Sequence, residues 1–211
     1  GDFLYTRAFQ LLVEIGNMEI LKNMANSTNI IAEGEVMQLE RAGDPSTTEA
    51  QYLDIINRKT AALFSSACFG AAVLNDVKSS TIQAMESFGR HLGMAFQITD
   101  DILDYFGNAP DIGKHLGDDL AEGKMTLPLI RIMQVGNNEE IKLIKEAITT
   151  KDRYAFEKII SIIEANDAIE YCKEVARNHR DLAIGEIEVL DSNHACDELR
   201  KLCQMSVDRV S

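Results

Sequence analysis

One stretch constrains this chain more than any other: Gly93 to Pro128, GMAFQITDDILDYFGNAPDIGKHLGDDLAEGKMTLP. It opens with apolar residues at helical spacing, Met94, Ala95, Phe96, Ile98, Ile102, Leu103 and Phe106. Three carboxylates, Asp100, Asp101 and Asp104, interrupt that run. At about 100° per residue, Asp100 and Asp104 stand one above the other on a helix face, with Asp101 beside them. Like charges at that spacing cost a few tenths of a kcal/mol in water and more against a cavity. A hard divalent cation offsets the cost most simply. Mg2+ binds oxygen at about 2.0–2.1 Å, uses one or two carboxylates, and completes its shell with water and substrate phosphates.

The same stretch then supplies positive charge. Lys114 and Lys124 belong to a Gly-rich segment, Gly113-Lys114-His115-Leu116-Gly117-Asp118-Asp119 followed by Glu122-Gly123-Lys124. Carboxylates able to hold a metal, beside lysines able to reach an anion, describe a metal-bridged polyphosphate site. The competing account is a solvated acidic helix end followed by a surface loop. The apolar flanks weigh against it.

Composition excludes more than it identifies. The 211 residues read as one all-α domain, 1–211, with a formal charge of −13 from 34 acidic and 21 basic residues. A nucleic-acid surface needs a basic stripe, and none is present. No apolar run is long enough to span a bilayer. Cys68, Cys172, Cys196 and Cys203 form no C-x-x-C pair and read as reduced, mostly buried thiols of a cytoplasmic protein. His91, His115, His179 and His194 are not at metal-ligand spacing. The chain does not open on Met, and its start reads as the middle of a domain.

Helical periodicity runs throughout. A helix is expected over about 3–15, stopped by Gly16, and a second over 18–41 with Asn17 as N-cap. Gly34, in the middle of that helix, implies a closely packed neighbour. Thr48 and Gln51 form a plausible capping box for a third helix over 49–75, and Ser80 with Gln83 another for a central helix over 81–106. Further helices are expected over 126–136, 137–149, 152–165, 167–190 and 193–209. No segment alternates with period two, so no strand is expected.

FQITDDILD followed by GKHLGDDLAEGKMTLP resembles the second aspartate-rich motif and downstream loop of the trans-prenyl diphosphate synthases. GDFLYTRAF, IAEGEVMQL and RKTAALF extend the resemblance across most of the chain, within the family most like bacterial octaprenyl diphosphate synthases. The resemblance implies an isoprenoid-synthase bundle of helices around a central cavity, and a homodimer with helices 18–75 at its interface. It implies Mg2+ held by Asp100, Asp101 and Asp104, and an allylic diphosphate held by Lys59, Thr60, Gln97, Lys114 and Lys124. Asp100, Asp101, Asp104, Lys59 and Lys114 become the catalytic set, and Gln38 faces the cavity. The implied reaction adds isopentenyl diphosphate to an allylic diphosphate such as farnesyl diphosphate. Its product is a long all-trans chain, octaprenyl in length, for quinone side chains.

One departure stands out. The first aspartate-rich motif and the isopentenyl-diphosphate-binding elements of the family precede GDFL, and none occurs in these residues. The chain is therefore expected to match the C-terminal two-thirds of a synthase, to hold half a metal site, and to be inactive alone. Alternatives are a non-catalytic subunit of a prenyl synthase, a shorter-chain synthase or a terpene cyclase. Phe3 and Phe9 are candidates for a tunnel floor, with core packing as the other account of both.

Overall fold

Helix α5, Ser79–Phe106, is the element around which the others pack in the computed structural model, which describes residues 1–107, 116–191 and 193–209. The reason lies in its sequence. From Leu92 to Tyr105 almost every turn offers small or apolar side chains on several faces, and thirteen residues of the helix are buried. A helix apolar on several faces must sit inside the bundle. Gly93 allows a close approach: a Cβ there would stand 2.6 Å from the Ala61 Cα.

The other described helices are α1 (Asp2–Ile15), α2 (Met18–Arg41), α3 (Glu49–Ile56), α4 (Ala62–Leu74), α6 (Asp118–Glu122), α7 (Leu127–Val135), α8 (Asn138–Thr150), α9 (Phe156–Ala165), α10 (Ala168–Glu186) and α11 (His194–Asp208). Helices α4 and α10 make the most extensive contacts with α5. The main core joins Ile98 and Ile102 to Leu127, Leu129, Ile144, Ile159 and Ile163. A smaller core lies around Phe88, Leu92, Ala183, Ile187 and Cys203. No strand occurs among the described residues, and no described helix is long and apolar enough to cross a membrane. The four cysteines are free thiols, three of them buried.

Most helix ends follow their caps. Gly16 adopts φ 70°, and Asn17 Oδ1 accepts from the Glu19 and Ile20 amides. The Thr48–Gln51 capping box forms, and Asn137 makes a second one with Glu140. The Ser80–Gln83 box does not form. Helix α5 starts at Ser79 with Lys78 at the N-cap, so Ser80 already lies inside the first turn. Thr126 is the N-cap of α7 without a side-chain cap bond; its hydroxyl lies 3.1 Å from the Tyr105 hydroxyl instead.

The expected helix over 49–75 is broken. Between α3 and α4, Asn57–Ala61 form a π-helical turn that carries Arg58, Lys59 and Thr60. π-bulges of this kind cluster at functional sites. Gly34 explains how α2 can lie against it, because a Cβ there would stand 2.7 Å from the Lys59 amide nitrogen and 2.8 Å from the Arg58 Cβ. The expected helix over 152–165 likewise begins as a 3-10 turn, Arg153–Ala155, before α9. Helix α1 buries no residue in this chain, and Phe3 is exposed. Core packing therefore does not account for Phe3 here, and Phe9 packs on Tyr5.

Candidate functional site

The C-terminal half of α5, the π-helical turn, α2 and the segment around α6 enclose a cavity of about 380 Å3. Asp100, Asp101, Asp104, Lys59, Thr60, Gln97 and Lys124 all line it, as does Gln38. Sequence reasoning placed these residues in one site, and the fold brings them together. Lys114 and His115 lie outside the described residues.

Asp101 is the buried member of the aspartate trio. Its Oδ2 accepts from the Tyr52 hydroxyl at 2.6 Å and its Oδ1 from Gln97 Nε2 at 2.7 Å. Those two bonds favour the ionised form. Burial and the neighbouring Asp119 oppose it more strongly, so the carboxyl is pushed well above the usual range. Asp104 is half-buried and accepts from the Asp119 backbone amide at 3.1 Å. Burial, then Asp119, pushes it up to about 6. Asp100 faces Arg209, whose guanidinium lies 3.9 Å from its Oδ1 and sits over the Phe96 ring.

The cations have partners of their own. Lys59 Nζ donates to Gln38 Oε1 at 2.6 Å and pairs with Glu35 at 2.7 Å. Lys124 pairs with Asp119 at 2.9 Å and Glu122 at 2.7 Å. Burial pulls its ammonium down, but Asp119 and Glu122 outweigh that and hold it charged. The Thr60 hydroxyl donates to Gln97 Oε1 at 2.8 Å.

Three contributors escaped sequence reasoning. Tyr52 had a signal available: it lies two helical turns before Lys59, so the two share a face. Asp119 belongs to the Gly-rich segment but was not assigned to the aspartate cluster. Short α6, opened by Gly117 at φ 79°, turns its backbone amide onto Asp104. Arg209 had no local signal. Among the described residues no three acidic, histidine or cysteine side chains converge as a ready-made metal cage. A hard cation here would draw the rest of its shell from water or phosphate.

The Polyprenyl synthetase family matches residues 1–166. Octaprenyl diphosphate synthase of Haemophilus influenzae is 42% identical over 210 residues, covering 99% of this chain and 64% of that protein. The geranyl-diphosphate-specific all-trans-nonaprenyl-diphosphate synthase of Rhodobacter capsulatus is 43% identical, covering 100% and 64%. A polyprenyl synthase from Caulobacter crescentus, solved with calcium and isoprenyl diphosphate, superposes with a TM-score of 0.95 at 35% identity, covering 100% of this chain and 65% of that one. The chain thus spans about 64% of the length of the curated relatives it matches. Sequence motif, all-α isoprenoid-synthase bundle and cavity lining agree, and the chain belongs to the polyprenyl synthetase family.

Proposed function

We propose that this chain is the allylic-diphosphate half of a Mg2+-dependent, long-chain trans-prenyl diphosphate synthase. One observation carries the reading: a Lys-Thr π-turn and an aspartate trio, 37 residues apart at the Thr60–Gln97 bond, line a single cavity with Lys124. The similarity to octaprenyl and nonaprenyl synthases supports a long product, and octaprenyl is the length we propose.

In this reading Lys59, Thr60, Gln97 and Lys124, with Lys114, hold the allylic diphosphate. Lys59 and Lys124 exchange their present carboxylate partners for phosphate oxygens. The allylic C–O bond breaks with its electron pair leaving on diphosphate. The double bond of isopentenyl diphosphate supplies the electrons of the new C–C bond, and a proton is then lost to the departed diphosphate. Asp100 and Asp104, one helical turn apart, would hold Mg2+, with Asp101 beside them. The donor set fits, being all oxygen and carrying buried charge that a cation would offset. Magnesium, when bound, would neutralise the charge that develops on the leaving group. Ile55, Ile56, Leu103 and Met125 on the cavity wall would keep water from the allylic carbocation that the broken C–O bond leaves.

The first aspartate-rich motif of the family does not occur in these residues, so the 211 residues alone should not turn over. A homodimer in the cytoplasm completes the proposal. Exposed Val36 and Leu39 on α2 and Leu63 on α4 support an interface on the 18–75 helices.

The test is binding of farnesyl thiodiphosphate, a slow-reacting allylic analogue, by calorimetry with and without Mg2+. Binding should require Mg2+, compete with inorganic diphosphate, and disappear in Lys59→Ala. Binding that ignores both Mg2+ and Lys59 would overturn the reading.

A further inference from the structure

Tyr52 belongs to the cavity lining, on α3. Its ring is 4% exposed, and its hydroxyl is spent on Asp101. Asp101 takes a second bond from Gln97, and Gln97 takes one from Thr60. The path Tyr52–Asp101–Gln97–Thr60 therefore leaves the α3 rod, crosses to α5, descends one turn of α5, and returns to the π-turn at the end of the same rod.

That closure has a mechanical consequence. Packing already holds α5 against its neighbours; the two polar anchors, at Tyr52 and Thr60, add a fixed register between its aspartate face and the π-turn. The Tyr52 and Thr60 hydroxyls donate at the two ends, and the Gln97 amide uses its oxygen toward Thr60 and its nitrogen toward Asp101. Low dielectric strengthens such a network and penalises any member left unpaired.

We propose that Tyr52 is a positioning residue that locks the aspartate face of α5 to the Lys59–Thr60 turn, so that the acidic cluster and the diphosphate cradle act as one unit. The inference rests on the proposed function for its binding consequence, but the coupling itself is a property of the chain.

Two measurements on the purified chain test it. The first is a double-mutant cycle of Tyr52→Phe and Thr60→Val on unfolding free energy in EDTA. The two side chains do not touch, so independent sites would add. The proposal expects clear non-additivity, and additive effects overturn it. The second is calorimetry with Mg2+ and inorganic diphosphate well below the melting temperature of each variant. Tyr52→Phe should weaken binding about tenfold, the scale of one hydrogen bond to a charged group, with the double variant little worse than either single. A Tyr52→Phe protein that merely melts earlier and binds normally would show a structural role and overturn the proposal. Should Tyr52→Phe not fold, fluorotyrosine at position 52 keeps the ring and sharpens the donor; an unchanged diphosphate affinity then overturns it. If wild type itself binds no diphosphate, the functional reading fails, and the cycle in EDTA still decides the coupling.

Discussion

Helix α5 carries two partly buried polar clusters, and they are resolved in opposite ways. Toward its middle, His91 meets His179 of α10 with the two Nδ1 atoms 3.0 Å apart. Burial lowers the pKa of both, His179 to about 4 with His91 adding to the effect. Both rings are therefore neutral at pH 7, one nitrogen donating and the other accepting. The pair satisfies itself. About three turns later, Asp101 and Asp104 cannot satisfy one another. Tyr52, Gln97 and a backbone amide help them, yet burial and Asp119 still hold their protons too tightly for ordinary carboxyls. Burying charge next to a cavity, with the cost left partly unmet, marks a binding site; burying a closed neutral pair marks a fastening between helices.

The largest effect should separate these clusters outright. Asp100→Asn with Asp104→Asn should weaken Mg2+-dependent diphosphate binding by more than about 100-fold, beyond the range for groups that only orient a ligand. His179→Gln should leave that binding unchanged. Calorimetry on both variants checks this, and equal losses would erase the distinction. Next, Gly34→Ala forces α2 off the π-turn, and overpacking of this kind costs about 1–3 kcal/mol in thermal or urea unfolding. It should also weaken diphosphate binding, because the displaced residue is Lys59.

The unmet charge predicts a pH dependence of definite sign. Asp104 titrates near 6 in the folded chain and at the ordinary lower value when unfolded. The folded state thus binds that proton more tightly. Its stabilising effect is complete below about pH 4 and is lost as pH rises through about 6. In EDTA, wild type should lose stability relative to Asp104→Asn between those values, and saturating Mg2+ should remove the loss. Urea titrations at each pH measure it. The smallest effect is that of His179→Gln on stability, about 0.5–1.5 kcal/mol for one neutral hydrogen bond, read in the same unfolding experiments.

The same contrast explains what was legible in the sequence. The aspartate trio and its lysines were readable because their chemistry is local: apolar flanks, i and i+4 spacing, a Gly-rich segment. Asn17, Gly16 and the Thr48–Gln51 box were readable for the same reason. Ser80 misled because its capping box depends on the helix starting two residues later than it does. The π-turn was not readable from 49–75 alone, since its partner is the bare backbone at Gly34 on another helix. His91 and His179, 88 residues apart, show no motif spacing, and only the packing of α10 on α5 makes them a pair. Arg209 and Asp119 likewise gain their meaning from tertiary approach.

The most direct test of the account is crystallographic: the positions of Mn2+, located by its anomalous signal, and of inorganic diphosphate soaked together into the protein. The account predicts Mn2+ bonded to Asp100, with diphosphate between the ion and Lys59, Thr60 and Lys124. Ions bound elsewhere, or diphosphate seated away from the π-turn, would contradict it.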